Sequence, residues 1–175
     1  MIRSLILSLV ILSFSFSLAI ANEINTVPPP DQDAVRIAAL NKFWGRLSET
    51  VREGDLEGYR SLYHKDAVIV FATGKNKTSV SISKALSDWK QGFDNTKAGK
   101  QKDNVSFRLS QRIGNETTAH ETGMFLFTSS NEAEGKSVEQ FIHFEMLFVK
   151  LDGKWLATME YQKSHGSEEE WNSLK

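Results

Sequence analysis

Two runs of alternating polar and apolar residues meet at a tight turn in residues 138–163, which read VEQFIHFEMLFVKLDGKWLATMEYQK. Asp152 and Gly153 are a pair that a two-residue hairpin turn favours, because such a turn needs positive φ angles. Alternation with a period of two is typical of strands that bury one face. The stretch therefore predicts a β-hairpin, with strands at residues 138–150 and 155–163.

The turn also predicts the register of the two strands. With Lys150 opposite Trp155, the same count places Glu145 opposite Glu160. Because opposed residues share one face of a sheet, this register collects polar side chains on a single face. That face would carry His143, Glu145, Thr158, Glu160 and Gln162. Two carboxyl groups at cross-strand distance cannot both ionise at low cost in a dry site. Glu145 and Glu160 are therefore a candidate catalytic acid–base pair, with His143 as a further proton carrier.

Two interpretations of this polar face stay open. In the first, the face lines a pocket and its side chains act on a ligand. In the second, the apolar face of the hairpin forms the core under the helices, and the polar face meets water or a second subunit. Burial energetics favour the second interpretation, because the apolar side chains gain most from leaving water.

Upstream of the hairpin, the pattern predicts three helices, an early strand and two further strands. Apolar residues recur at helical spacing from Ile37 to Val51. Gly54 is suited to end that helix and Asp55 to cap a short second one. A third helix is expected at residues 81–93. Strands are expected at residues 67–72, 105–110 and 117–128.

The predicted helices each carry a single apolar stripe, so they must cover one face of the sheet. Helices gathered on one face of an antiparallel sheet make an α+β fold. We therefore expect three N-terminal helices packed on a strongly bent antiparallel sheet, with a pocket between the two layers.

Three short segments of this chain resemble the nuclear transport factor 2-like superfamily. The segments GDLEGY (residues 54–59) and LYHKDAV (residues 62–68) resemble the signature after the first helix of that family. The segment KLDGKW (residues 150–155) is similar to the final turn of the family. The resemblance covers residues 35–164. The family includes SnoaL-like polyketide cyclases, ketosteroid isomerases and scytalone dehydratases. It implies a cone-shaped α+β barrel and a homodimer formed through the outer face of the sheet.

The residues that an isomerase would need are absent from the expected positions. Counted without gaps from GDLEGY, Phe71 falls where the family places its catalytic base, and Leu47 falls where the isomerase places its donor tyrosine. Counted back from the last hairpin, Glu145 falls near the second oxyanion acid of the isomerase. Isomerase chemistry needs a carboxylate base and an oxyanion donor. We therefore do not expect the steroid isomerase reaction.

Six further residues are candidates for contact with a ligand. Aromatic side chains at helical spacing can line the apolar part of a pocket, although they are more often plain core. His120 lies in phase with Thr122 and could join His143, but no third metal ligand at suitable spacing is evident, so no metal site is expected. The candidate ligand-binding residues are Trp44, Tyr63, Trp89, His120, Thr158 and Gln162.

The N-terminal segment predicts export. Residues 1–21 combine Arg3, an apolar run and a small-residue cleavage pattern that ends at Ala21, as in a cleaved signal peptide. Residues 22–33 read as a proline-rich linker. The domain is then expected at 34–164 and an acidic tail at 165–175. With the leader removed, we expect no membrane association, and a periplasmic or secreted protein if the source is bacterial.

Composition narrows the possible functions. The chain has no cysteine, which excludes disulfides and thiol chemistry, and its net charge of −1 gives no reason to expect nucleic acid. No motif for a cofactor is present. Three hypotheses remain: an exported module that binds a small apolar or amphipathic molecule, a cofactor-independent lyase, isomerase or cyclase, or a dimerisation or partner-binding module without a ligand.

Overall fold

A computed structural model describes residues 31–131, 133 and 135–174 of the chain. Within those residues it contains four helices and six strands. In chain order they are α1 (Gln32–Glu53), α2 (Leu56–Arg60), β1 (Tyr63–Phe71), β2 (Thr78–Ser81), α3 (Ile82–Lys97), β3 (Lys102–Gly114), β4 (Thr118–Asn131), β5 (Lys136–Leu151), β6 (Lys154–His165) and α4 (Glu168–Ser173). None of these helices is both long and apolar enough to cross a membrane. The predicted signal peptide and most of the predicted linker lie outside the described residues.

The first two helices begin and end where their capping residues predict. Gly54 ends α1 with a φ of 66°, a left-handed conformation that glycine adopts without strain. Asp55 then caps α2, because its side chain accepts a 2.8 Å hydrogen bond from the backbone N–H of Gly58. At the other end of α1, Asp31 accepts a 3.0 Å hydrogen bond from the backbone N–H of Asp33. The helix therefore starts inside the segment that the sequence assigns to the linker.

The six strands form one curved sheet in the order β2-β1-β6-β5-β4-β3. The four later strands make the predicted antiparallel meander. Two details differ from the expectation. Strand β1 pairs with β6 in parallel, and β2, which the sequence pattern did not predict, adds an antiparallel edge to β1. Strand β1 therefore lies between β6 and the edge strand β2, at the side of the sheet opposite β3.

Helices α1, α2 and α3 pack on one face of the sheet, called here the inner face. The core lies between these two layers, so the α+β arrangement with N-terminal helices on the sheet is confirmed. Its most deeply buried large apolar side chains are Leu40, Ile69, Met146, Phe144 and Phe148. Each such side chain contributes about 1.5–3 kcal/mol when it leaves water.

Strand β6 pairs with β5 through two register shifts, and the one nearer the turn changes the face on which Glu160 lies. The turn at Asp152 and Gly153 pairs Lys150 with Trp155, as predicted. The register then shifts between Leu147 and Phe148, because Leu147 lies opposite Met159 and Phe148 lies opposite Ala157. Thr158 is the additional residue of this β-bulge, and its hydroxyl donates a 3.2 Å hydrogen bond to the carbonyl of Leu147.

The predicted pairing of Glu145 with Glu160 is therefore wrong. Beyond the bulge, Glu145 lies opposite Tyr161, and Met146 lies opposite Glu160. A shift of one residue moves every side chain to the other face of a sheet. Glu160 and Gln162 consequently lie on the inner face, and the face opposite, called the outer face, keeps Glu145 and His143. The predicted pairing of His143 with Gln162 is wrong as well. Gln162 lies opposite Phe144, and a second register shift, at Lys163, places His143 opposite Ser164.

The C-terminal tail folds back over the outer face. Its short helix α4 has a capping box between Ser167 and Glu170. Trp171 is only 8% exposed, with its ring centroid 6.1 Å from that of Phe141. The guanidinium carbon of Arg108 lies 4.5 Å from the centre of the Trp171 ring, an arrangement that favours a cation–π interaction. The predicted acidic tail thus includes an anchored helix that covers part of this face.

Candidate ligand-binding site

A cavity of about 420 Å³ lies between the helices and the inner face of the sheet. Its volume is in the range of sites that hold small molecules. Eight aromatic rings from six of the elements contribute to its wall. They belong to Tyr59, Phe71, Trp89, Phe93, Phe107, Phe125, Phe127 and Phe144. The cavity therefore offers an apolar molecule a large area of contact away from water.

Glu160 supplies a buried carboxyl group to this aromatic wall. Its side chain is 6% exposed, and it accepts two hydrogen bonds. The hydroxyl of Tyr63 donates to Oε2 at 2.5 Å, and the side-chain amide of Gln162 donates to Oε1 at 2.8 Å. Among the described residues, no lysine, arginine or histidine forms an ion pair with this carboxyl group. Glu160 is thus held by neutral donors alone.

The surroundings of Glu160 make its proton harder to remove. Burial raises the pKa of Glu160, and the hydrogen bonds from Tyr63 and Gln162 oppose that increase. Burial, followed by the nearby Glu160 charge, holds the pKa values of Tyr59 and Tyr63 well above the ordinary tyrosine range. The two phenol oxygens lie 3.0 Å apart. Both tyrosines therefore stay protonated, and Glu160 is the group at this site that can accept a proton or hold one.

A second polar part of the cavity wall, besides Glu160 and Gln162, lies at the start of β3. Asp103 accepts hydrogen bonds from the hydroxyl of Thr96 at 2.9 Å and from the side-chain amide of Gln101 at 2.7 and 2.8 Å. Asp88 also lines the cavity, and it pairs with Lys84 on the exposed side of α3. The polar residues in the described wall are therefore acids and amides, with no lysine, arginine or histidine among them.

The two positions at which an isomerase would carry its catalytic base and its donor tyrosine both lie in the wall of the cavity. Leu47 comes from α1 and Phe71 from β1. Neither side chain can donate or accept a proton. The buried carboxyl group in the wall belongs to Glu160, on a different strand from Phe71.

The structure places the nine predicted site residues in several different environments. Trp89, Gln162 and Glu160 line the cavity. Tyr63 is buried next to the cavity, in contact with Glu160. The other five are placed elsewhere, as the next two paragraphs describe.

Trp44 belongs to a buried polar cluster behind the cavity. Its indole N–H donates a 2.6 Å hydrogen bond to Oε2 of Glu121, which is completely buried. Arg112 forms a salt bridge of 2.7 Å with Oε1 of the same carboxyl group and reaches Asn41 at 2.6 Å. The sequence analysis did not select Glu121 as a functional residue. Glu121 directly follows His120 in β4, so the alternation of a strand places their side chains on opposite faces.

His120, Glu145 and His143 lie on the outer face, away from the cavity. Nε2 of His120 lies 3.2 Å from Oε2 of Glu145, and the ammonium of Lys163 lies 2.5 Å from Oε1. The hydrogen bond from Lys163 is the main cause that lowers the pKa of Glu145. His143 faces Glu170 of α4 at 3.4 Å. These residues cannot act on a ligand in the cavity, and Thr158, at the bulge, is not part of the described wall.

Comparison with known proteins gives the same fold. A family model described as "SnoaL-like domain" matches residues 40–164. A conserved protein from Planctomyces limnophilus superposes with a TM-score of 0.62 at 17% identity, over 73% of this chain and 94% of that chain. An NTF-2 like protein of unknown function from Shewanella oneidensis has a TM-score of 0.55 at 14% identity, over 74% and 99% of the two chains.

A ketosteroid isomerase-like protein from Erwinia carotovora has a TM-score of 0.55 at 13% identity, over 75% of this chain and 97% of that chain. No curated protein is significantly similar in sequence. Likeness at these identities shows the fold alone. The resemblance to nuclear transport factor 2-like proteins and the cone-shaped α+β fold are thereby confirmed.

Proposed function

Since this chain belongs to the SnoaL-like domain family, we propose that it binds a small, largely apolar molecule in the cavity on the inner face of its sheet. One observation carries the proposal: a cavity of about 420 Å³ combines an aromatic wall with a single buried carboxyl group, Glu160. Ligand sites are mostly apolar and hold a few polar groups that orient the ligand.

The polar groups of the cavity support a defined orientation of the ligand. Glu160 uses two hydrogen bonds to Tyr63 and Gln162, and a carboxylate offers about four acceptor positions. The remaining positions can accept hydrogen bonds from a ligand. The aromatic rings would then hold the apolar body of the same molecule.

A substitution that fills the cavity tests this proposal. Gly92 lies on α3 in the cavity wall, and a β-carbon added there has Asp103 Oδ2, at 4.0 Å, as its nearest neighbour. Gly92→Leu should therefore occupy the cavity without a backbone clash. Gly45→Leu is the matched control, because Gly45 is exposed on α1 and an added β-carbon meets nothing within 4 Å.

We would titrate both variants and the natural protein with indole and naphthalene and follow the thermal stability. A ligand at a hundred times its Kd stabilises a folded protein by about 2.7 kcal/mol. We expect this stabilisation for the natural protein and Gly45→Leu, and its loss in Gly92→Leu. Equal responses in all three proteins, or no response in any of them, would contradict binding in the cavity and favour a partner-binding module without a ligand.

A second candidate function is proton transfer by Glu160. It is supported by a carboxyl group that faces the cavity with a pKa raised by burial, a pattern found at sites of general acid–base catalysis. Incubation with β-tetralone in deuterated water tests it, since a general base would exchange the protons next to the carbonyl. Exchange that is lost in Glu160→Gln would support catalysis, and an exchange rate equal to that of buffer would contradict it for this class of substrate.

We also propose that the mature protein is exported, on the basis of the leader pattern in residues 1–21. Cleavage after Ala21 would leave Asn22 as the first residue. N-terminal sequencing of the protein recovered from outside the cytoplasm tests this, and a chain that keeps Met1 would contradict it.

A further inference from the structure

The charged groups in the cavity wall are all of one sign. Three carboxyl groups contribute to the wall, those of Asp88, Asp103 and Glu160, and the described wall contains no lysine, arginine or histidine. Asp88 has its partner Lys84 on the exposed side of α3. Glu160 and Asp103 form no ion pair with a described cation and are held by hydrogen bonds from neutral groups. The cavity therefore carries negative charge that nothing in the described wall balances.

The rings around these carboxyl groups also favour positive charge. An aromatic ring attracts a cation at its face, and tryptophan does so most strongly. Trp89 lies in the wall between Tyr59 and Phe71, with ring centroids 5.9 and 6.1 Å away. Both contacts are edge-to-face, with interplanar angles of 82° and 87°. Three rings, with Trp89 at a steep angle to each of the other two, therefore line this part of the cavity, and several rings around one space are the kind of site that recognises ammonium groups.

From these two features we infer that the preferred ligand is an organic cation, an amine or quaternary ammonium group carried on an apolar body. This inference rests on the proposed function of the same cavity. An anionic ligand would meet the charge of Glu160 in surroundings of low dielectric constant, where like charges repel strongly. A neutral ligand would leave that charge unbalanced, whereas a cation balances it and also interacts with the rings.

Three probes of similar shape test the inference by calorimetric titration at neutral pH. They are benzyltrimethylammonium, its uncharged carbon isostere neopentylbenzene, and the anion phenylacetate. We expect the cation to bind at least about tenfold more tightly than the isostere, a difference that corresponds to about 1.4 kcal/mol. Phenylacetate should bind more weakly than either.

Two glutamine substitutions on the two faces of the same sheet show whether the cavity carboxyl group is responsible. In Glu160→Gln, the affinities for the cation and for the isostere should differ by no more than about threefold, because the charge pair is lost. Glu145→Gln removes the same charge from the outer face and should leave the preference unchanged. Binding of the isostere shows that each variant still has a folded cavity. If Glu160→Gln fails this criterion, Asp103→Asn replaces it, with a smaller loss of preference expected.

The possible failures are distinguishable. If the isostere binds as tightly as the cation, the inference is overturned and the proposed cavity function stands. If both glutamine variants lose the preference equally, long-range charge rather than the cavity acid is responsible, and the inference is again overturned. If none of the three probes binds, the proposed function fails, and the inference fails with it.

Discussion

The hydroxyl of Tyr63 donates a 2.5 Å hydrogen bond to Glu160, joining β1 to β6 where these strands run parallel. Both side chains are buried, so water cannot replace the donor if it is removed. We expect Tyr63→Phe to lower the free energy of unfolding by about 1–3 kcal/mol, the cost of a buried group that loses its partner. It should also raise the pKa of Glu160 further, because the hydrogen bond stabilises the charged form.

Urea denaturation and an NMR titration of the Glu160 carboxyl group would measure these two effects. Tyr161→Phe is the matched control, since Tyr161 lies on the outer face of the same strand and should change stability by less than about 0.5 kcal/mol. Equal effects of the two substitutions would show that the Tyr63 hydrogen bond is not what stabilises the site.

Glu160→Gln should stabilise the protein at neutral pH and not at acidic pH. Because burial raises the pKa of Glu160 above its ordinary value of 4.5, the folded protein binds this proton more tightly than the unfolded chain. The resulting stability is complete below pH 4.5 and is lost as the pH rises through the pKa of the folded state. Each pKa unit of the increase corresponds to about 1.4 kcal/mol. Glutamine has nearly the same shape as glutamate and does not ionise, so the variant keeps its stability as the pH rises.

Urea denaturation of the two proteins across that pH range measures the difference. The advantage of the glutamine variant should grow as the pH rises and then level off. An advantage that stays constant with pH would contradict the raised pKa of the carboxyl group.

Arg112 balances a completely buried charge at Glu121, so the two residues should behave as a unit. Arg112→Met alone should cost about 3–5 kcal/mol, because it leaves Glu121 buried and unpaired. Arg112→Met combined with Glu121→Gln should recover much of that loss, since the amide oxygen still accepts the hydrogen bond from Trp44. Chemical denaturation of the single and double variants measures the difference. Additive losses would contradict the coupling.

Gly123 allows a close approach between β3 and β4 that no other residue would permit. A β-carbon at Gly123 would lie 2.1 Å from the backbone carbonyl oxygen of Arg108, next to the bulge at Ser110. We expect Gly123→Ala to destabilise the fold by about 3 kcal/mol, at the upper end of overpacking costs. Gly92→Ala is the control, because it adds the same methyl group to a helix with room for it and should stabilise by about 0.5–1 kcal/mol. Similar losses in both variants would contradict the steric explanation.

Trp171 anchors α4 on the outer face, and its removal should expose apolar surface. We expect Trp171→Ala to lower stability by about 3 kcal/mol and to increase self-association through the uncovered surface around Phe141. Sedimentation velocity measures the second effect. Asn172→Ala, on the exposed side of the same helix, removes only a 3.4 Å hydrogen bond from Arg108 and should leave both quantities nearly unchanged. The homodimer that the family resemblance implies stays a prediction, and it would have to use the part of the outer face that α4 leaves open, around the 40%-exposed Leu147.

Local signals in the sequence predict much of the fold. Gly54 and Asp55 mark the boundary between α1 and α2, and the turn at Asp152 and Gly153 places β5 beside β6. These residues act through the backbone conformations that they favour, so their effect is visible without tertiary contacts. Strand β2 has no comparable local signal. Its four residues are extended because they pair with β1 at the edge of the sheet, which is a tertiary contact.

The candidate site was harder to predict because it depends on the bulge at Thr158. Ala157 and Thr158 continue the alternation of the strand, and nothing in either side chain marks an extra residue. Bulges arise from the twist and curvature of the whole sheet. Pattern reasoning placed Glu160 opposite Glu145 on a shared face, whereas the bulge separates the two residues and pairs Glu160 with Met146.

The bulge at Thr158 makes the chemistry of the cavity depend on how β6 pairs with β5, and not on the length of β6. Deletion of Thr158 would place Met159 directly after Ala157 and leave Glu160 opposite Met146, so the acid would still face the cavity. In a homologous chain of the same length whose β6 pairs without the bulge, Met159 and Tyr161 would face inward, and a thioether and a phenol would replace the acid and the amide. Two such chains would share nearly every amino acid and yet recognise different molecules, so percentage identity would overstate their functional relatedness.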